Sequence, residues 1–291
     1  MGKGKLAKFA EMAENPLVVE CPFWLLQKEG FPLKGKWHEE FFKNQNPIVL
    51  ELGCGRGEYT IGLARRFPDK NFIGIDIKGA RMWHGAKTAL EEGMQNVAFL
   101  RTNIECIAGF FAPNEVAELW LTFSDPQVRS ENSRLTSPVF LERYSRFLAP
   151  GGRIHLKTDS QFLYQYTLAV CRANGLPVLA SSEDLYAEAA DFDPCLTEVQ
   201  TFYEKMFREQ GYPIKYLCFT LNEPPSHSSG HGRPLFLEPL PDSVTSGSAS
   251  FVSPTDFDAE YWRSVEGNRT LFGRDTAETR RQKMKKNDKD S

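Results

Sequence analysis

Three short apolar runs end on groups able to hold a nucleoside. Ile48-Val-Leu-Glu51-Leu passes through an acid into the turn Gly53-Cys54-Gly55-Arg56-Gly57, Phe72-Ile-Gly-Ile reaches Asp76, and Val97-Ala-Phe-Leu-Arg-Thr ends on Asn103. Glycines let a backbone turn sharply and come close to a ligand where a β-carbon would collide. An acid about twenty residues beyond such a turn, at the tip of the next strand, can accept both hydroxyls of a ribose. An amide one strand later can meet an adenine edge. A dinucleotide loop would read G-x-G-x-x-G; here the third glycine comes one residue early and an acid precedes the first. The turn therefore specifies a nucleoside-binding loop, against the plainer alternative of a structural glycine turn.

A second set of polar groups lies further along. Leu119-Trp-Leu-Thr-Phe-Ser-Asp125-Pro126 puts an acid and a proline just past the fourth apolar run, with Arg129 and Arg134 behind it. Thr158-Asp159 closes the fifth run, and Thr201-Phe202-Tyr203-Glu204 opens an amphipathic stretch ending at Gly211. Each also has a structural reading. Asp125 before proline can cap a turn, Thr158-Asp159 can cap the helix starting near Ser160, and Thr201-x-x-Glu204 spells a capping box. Thr197-x-x-Gln200 has the same spelling, and a helix beginning there puts Thr201, Glu204 and Arg208 on one polar face. Cys54, with no histidine suitably placed, reads as a small packing residue. Trp83 and His84 read as packing on the helix after Asp76. His227 and His231 have metal-like spacing, but no cysteine or acid lies nearby, so no metal is expected.

The elements that must position these groups alternate. Apolar runs at Ile48–Leu52, Asn71–Ile77, Val97–Arg101, Glu118–Phe123 and Arg153–Thr158 are nearly continuous, as strands covered on both faces should be. Helix-length amphipathic stretches separate them, which predicts an α/β, doubly wound, mostly parallel sheet with helices on both faces. Ser137, Pro138 and the stop Ala149-Pro-Gly-Gly152 bound a helix at 138–148 with Phe140, Tyr144, Phe147 and Leu148 inward. Val199, Phe202, Tyr203, Met206 and Phe207 keep helical spacing and predict a buried stripe. Ile214–Leu221 reads as a final strand. Three parts result: a lead-in with basic residues (1–46), the α/β domain (47–222), and a Pro/Ser-rich linker with a basic C-terminal extension (223–291). Phe257, Tyr261, Trp262 and Phe272 in that extension could dock back on the body.

With 291 residues, 41% hydrophobic and 25% charged, the composition is that of a globular chain. No apolar run approaches the ~20 residues of a membrane span, and no apolar h-region follows the basic start. Six widely spaced cysteines predict reduced thiols and a cytoplasmic setting. The net charge of −3 does not mark a nucleic-acid binder. Both ends are nonetheless basic, with Lys3, Lys5 and Lys8 at the start and Arg280, Arg281, Lys283, Lys285, Lys286 and Lys289 at the finish.

Residues 1 to about 222 resemble the bacterial tRNA (guanine-N7)-methyltransferases, class I enzymes that use S-adenosylmethionine. The resemblance rests on Leu50-Glu-Leu-Gly-Cys-Gly-Arg-Gly57, Phe123-Ser-Asp-Pro126, Thr158-Asp159 and Thr201-Phe-Tyr-Glu204, in matching order and spacing. It implies a seven-stranded Rossmann-like sheet. It implies that Glu51, Gly53, Gly55, Asp76, Asn103 and Asp125 contact S-adenosylmethionine, with Asp125 also at the catalytic centre. Arg129, Asp159, Thr201, Phe202, Tyr203 and Glu204 are implied to contact tRNA, whose guanosine 46 in the variable loop is the target. A monomer or homodimer is expected, without metal or membrane. The chain departs from the family where Gln127 stands for a tryptophan and only Arg129 and Arg134 remain of a basic cluster. That departure, and the net charge, keep open a methyltransferase of the same fold acting on a small molecule or protein.

Overall fold

Runs of apolar residues too long to expose any face must be covered on both, and this is what the chain builds. The computed structural model describes residues 3–221 and 250–266. A short edge strand β1 (Val18–Glu20) precedes β2 (Ile48–Leu52), β3 (Asn71–Asp76), β4 (Val97–Arg101), β5 (Val116–Thr122), β6 (Leu148–Thr158), β7 (Val178–Ser182) and β8 (Lys215–Thr220). Their order across the sheet is β1-β4-β3-β2-β5-β6-β8-β7. All neighbours pair in parallel except β8, which runs antiparallel to β6 and β7. The strand order reverses at β2, which pairs with β3 on one side and β5 on the other. A crevice at the carboxyl ends of β2 and β5 follows, where doubly wound sheets hold their ligands.

Strand alternation divides the core into two layers. Ile48, Leu50 and Leu52 join Ile73, Ile75, Leu119 and Leu121 on one face, while Val49, Phe72, Phe99 and Trp120 join the other. Helices α3 (Glu58–Arg66) and α4 (Gly79–Glu91) cover the second face through Ile61, Leu63, Met82 and Ala86. Helices α5 (Pro138–Ser145) and α6 (Gln161–Ala173) cover the first through Phe140, Tyr144, Leu163 and Val170. The parity of β2 thus sends Glu51 to the α3 side, which decides its partners.

Local signals misjudged several boundaries. Ala149-Pro-Gly-Gly152 does not separate helix from strand; β6 starts at Leu148 and runs through it, and α5 stops at Ser145. Ser137 sits at the N-cap with extended backbone, but its hydroxyl makes no capping bond. Among the described residues the sheet has eight strands and not seven; β1, three residues long, and β7, mostly exposed or half-buried, carry no apolar run to read. The stripe predicted over Val199–Phe207 is not one helix. A short α7 (Cys195–Glu198) ends before Val199, and α8 (Phe202–Glu209) starts afresh after Thr201. In α8 only Glu204 is buried and Phe202 is exposed, the reverse of the predicted stripe.

The lead-in packs into the same body. Helix α1 (Lys3–Glu14) lies along α4 with Met12 buried. Helix α2 (Phe23–Glu29) and a π-type turn at Trp37–Phe42 follow, and Trp37, fully buried, donates its indole N–H to the Phe110 carbonyl. Helix α9 (Ala259–Glu266) docks on α6. His227, His231, Phe272 and the basic residues from Arg280 onward lie outside the described residues.

Candidate active site

The glycine turn is stitched to the neighbouring strand. Gly53 and Cys54 donate their N–H groups to the Ile75 carbonyl (2.8 and 3.0 Å), and Gly55 donates to Asp76 Oδ2 (3.0 Å). Asp76 Oδ1 accepts from the Lys78 N–H (2.8 Å), so the half-buried carboxylate is oriented at the strand tip with lone pairs to spare. Gly53 and Gly55 have φ of +81° and +57°, and a β-carbon on Gly53 would meet nothing within 4 Å. Gly57 is different: its β-carbon would sit 2.6 Å from the Phe99 ring. Two glycines therefore leave room for a ligand, and the third lets α3 pack against the sheet.

Glu51 is 4% exposed. Its Oε2 accepts from the backbone N–H (2.8 Å) and the hydroxyl of Thr60 on α3, and Oε1 accepts from Thr122 Oγ1 at the end of β5. Burial pushes its carboxyl up to about 7, against the lowering effect of the Thr122 and Thr60 hydrogen bonds. This carboxylate ties the start of α3 to the end of β5, the two rims of the crevice. Cys54 is also buried, and burial raises its thiol well above the usual range, which suits a packing residue and not a nucleophile.

Asn103 lies one strand beyond Asp76, at an exposed position. Its side chain accepts from the Glu105 N–H and caps the 3-10 turn Ile104–Gly109. A cavity of about 670 Å³ opens beside it, lined among others by Ile77, Thr102, Asn103 and Cys106. Ile77 directly follows Asp76 and is 55% exposed, an apolar side chain on the lining of that cavity.

Asp125 stands on the loop after β5. Phe123 and Gln127 on either side have φ of +49° and +45°. Left-handed backbone at two non-glycine residues in one loop is costly and persists only where the surroundings hold it. Asp125 Oδ1 accepts from the Gln127 N–H (3.2 Å). Arg134, expected as part of a basic grip, is turned inward instead. Its guanidinium donates to the carbonyls of Gln127 (3.2 Å) and Val128 (3.3 Å) and packs on Phe162 and Tyr166, 3% exposed. Arg129 remains exposed on the loop.

The cap of α6 is Ser160, which accepts from the Leu163 N–H (3.0 Å), so Asp159 is not spent on capping. It stays half-buried at the tip of β6. Thr201 is the N-cap of α8 and accepts from the Glu204 N–H (3.1 Å). Glu204 does not reach back to close the box. It is fully buried and pairs with Lys157 of β6 at 2.6 Å, while the Tyr186 hydroxyl donates to it at 2.7 Å. Lys157 also donates to the Leu196 and Val199 carbonyls, which fixes the break between α7 and α8. The exposed polar face expected for Thr201, Glu204 and Arg208 therefore does not exist, because a carboxylate opposite a buried ammonium is drawn inside.

What faces outward from this segment is Phe202, 54% exposed, with half-buried Tyr203 beside it. The Phe202 N–H donates to Glu58 Oε2 (2.9 Å) across 144 positions of sequence, and the Arg56 guanidinium lies 5.9 Å from its ring. The fold thus brings 201–204 against the glycine turn. Lys157, absent from the sequence reading, carried a signal: Arg153, His155 and Lys157 alternate in an otherwise apolar strand and so share one face. Trp83 and His84 pack on α1, where the Trp83 N–H donates to Glu11 and Lys8 meets both rings. Among the described residues no cluster of three His, Cys, Asp or Glu is placed to hold a metal, and no helix is long and apolar enough to cross a membrane.

Residues 45–217 match the protein family described as "Putative methyltransferase". Over 221 residues the chain is 58% identical to a tRNA (guanine-N(7)-)-methyltransferase of Bacteroides fragilis, covering 76% of this chain and 87% of that protein. The chain belongs to the tRNA (guanine-N7)-methyltransferase family. Two more family members are similarly near. The enzyme of that name from Porphyromonas gingivalis is 58% identical over 73% of this chain and 88% of its own length. That of Christiangramia forsetii is 52% identical over 75% of this chain and 98% of its own. The match to the family ends at residue 217, so β8 completes only just beyond it and α9 lies outside it.

Proposed function

We propose that this methyltransferase transfers a methyl group from S-adenosylmethionine to N7 of guanosine 46 in the variable loop of tRNA. The observation that carries the reading is the convergence of the glycine turn, the Asp125 loop and the Phe202 segment around one crevice at the carboxyl ends of β2 and β5. The high identity to enzymes bearing the tRNA (guanine-N(7)-)-methyltransferase name supports the substrate.

The residues present fit the cofactor. Asp76 offers acceptors for ribose hydroxyls, the open side of Gly53 and Gly55 admits a close approach, and the cavity beside Ile77, Thr102 and Asn103 suits an aromatic base. When bound, S-adenosylmethionine supplies an electrophilic methyl on a positively charged sulfur. Glu51 acts one layer behind, holding the turn and β5 at a fixed distance.

Guanine N7 has a lone pair and no proton, so its attack requires no general base. The protein's task is to orient the base and to favour the positive charge that grows on it. Asp125 does both: its carboxylate accepts a guanine N–H and lies where the base turns cationic. Phe202 and Tyr203 offer a face for a splayed-out base. Arg129 and Asp159 serve the same RNA, Arg129 through phosphate and Asp159 as a hydrogen-bond acceptor.

The test is methyl transfer from labelled cofactor to unmodified tRNA, with the product nucleoside mapped by mass spectrometry. The expected product is 7-methylguanosine at position 46, lost in Asp125→Ala. Label appearing in small amines or proteins but not in tRNA would favour the same fold acting on another substrate and sink this reading.

A further inference from the structure

We infer that residues 250–266 form a strap that holds the Asp125 loop in its substrate-binding shape, with Arg263 as the positioning residue. The inference goes beyond the proposed reaction and rests on it only for its kinetic arm.

Two independent paths run from the strap to the loop. In the first, Arg263 Nε donates to the Val128 carbonyl at 2.9 Å, across 135 positions of sequence. That same carbonyl accepts from Arg134, which also holds the carbonyl of Gln127. Two guanidiniums from different elements therefore clamp two consecutive carbonyls, one of them on a residue with φ of +45°. The Arg134 guanidinium is lowered in pKa, first by burial and to a lesser degree by the charge of Arg263, as expected for two cations gathered at one loop.

In the second path, Phe257 meets Phe162 and Tyr166 edge-on, each at 5.3 Å between ring centres. These are the two rings on which Arg134 packs, at 4.7 and 4.3 Å. Pressure on them from the strap is pressure on the residue that shapes the loop. Tyr166 also donates to Glu131 (2.7 Å), which lies on the same excursion of chain.

The strap is anchored at both ends. Asn174 and Val252 exchange hydrogen bonds at 2.7 and 2.9 Å, and Arg172 pairs with Asp256 at 3.1 Å. At the other end Glu266, 3% exposed, accepts from the Phe162 N–H (3.0 Å) in the first turn of α6. That turn begins two residues after Asp159, so the strap supports the tip of β6 together with the Asp125 loop.

The test uses the full chain and the variants Arg263→Ala and Arg263→Lys, with Phe257→Leu probing the second path. Amide hydrogen exchange over residues 123–130 is read with and without S-adenosylmethionine, alongside calorimetric cofactor affinity and the KM and kcat for unmodified tRNA. Losing one charge-assisted hydrogen bond should speed exchange in 123–130 about tenfold. KM for tRNA should rise about as much, while exchange at 53–57, which the strap does not touch, stays unchanged. Arg263→Lys should recover part of both effects, since an ammonium can reach the carbonyl without the guanidinium's fixed fork. Unchanged exchange over 123–130 in Arg263→Ala overturns the strap, whatever the kinetics. A wild-type protein that methylates no tRNA overturns the functional reading instead, and the exchange data still decide the strap.

Discussion

Glu51 shows how much of one side chain's bonding its environment can claim. Its position before the first glycine suggests direct contact with a ligand, yet its oxygens are taken by Thr60 and Thr122 and it is almost fully enclosed. The enclosure has a measurable consequence. A carboxyl at about 7 in the folded protein, against about 4.3 in the unfolded chain, keeps an extra proton in the native state between those values. Its contribution to stability is therefore largest at low pH, falls as pH rises from about 4.5 to about 7, and is flat above. Glu51→Gln should remove that slope. Urea denaturation at pH 5 and pH 8 should show wild type losing about 3 kcal/mol more than the variant over this interval. Parallel pH curves for the two proteins would refute the assignment.

At the scale of elements, α8 is positioned by a buried charge and not by an apolar stripe. The Lys157–Glu204 pair is inaccessible to water, and Lys157 also holds the carbonyls at the break between α7 and α8. Removing one partner leaves the other charge buried and uncompensated, so Glu204→Gln should cost about 3 to 5 kcal/mol in a denaturation midpoint experiment. Thr201→Ala, which removes only the helix cap, should cost about 1 kcal/mol. If the two costs are equal, the pair is not the anchor. Of the two capping-box spellings, Thr201-x-x-Glu204 marks where α8 begins, whereas Thr197-x-x-Gln200 marks no helix start, since α7 already runs from Cys195 to Glu198. The same letters could not tell that Glu204 would leave the box for Lys157, because the competing partner is a buried ammonium on a strand of the sheet.

At the scale of the molecule, the extension closes a surface the α/β core leaves open. Phe162 and Tyr166 are buried with residues 250–266 in place, and Glu266 satisfies an N–H at the start of α6. A chain ending after Leu221 should keep its sheet, since the buried residues of both core layers lie at or before Leu221 and the extension adds only Phe251 and Phe257 at the edge of one. It should nonetheless lose about 3 kcal/mol through the uncovered aromatic rings and the unsatisfied N–H. Circular dichroism should then show retained α/β structure with a lower urea midpoint. An unchanged midpoint would mean the docking is energetically idle.

What the sequence determined by itself was the set of strands whose burial on both faces is written into continuous apolar runs. Continuous apolar runs fixed β2, β3 and β4 to within a residue, and the glycine turn marked the passage from β2 into α3. Tertiary structure alone decided which partners the polar groups meet, inside the fold and at its surface. Glu204 meets Lys157, Arg134 meets the carbonyls of its own loop, Phe202 meets Glu58 and Arg263 meets Val128. No local pattern announces such partners, because a charged side chain reads the same in solvent as in a pair. Which partner a group meets depends on what the rest of the chain, up to 144 positions away, brings opposite it.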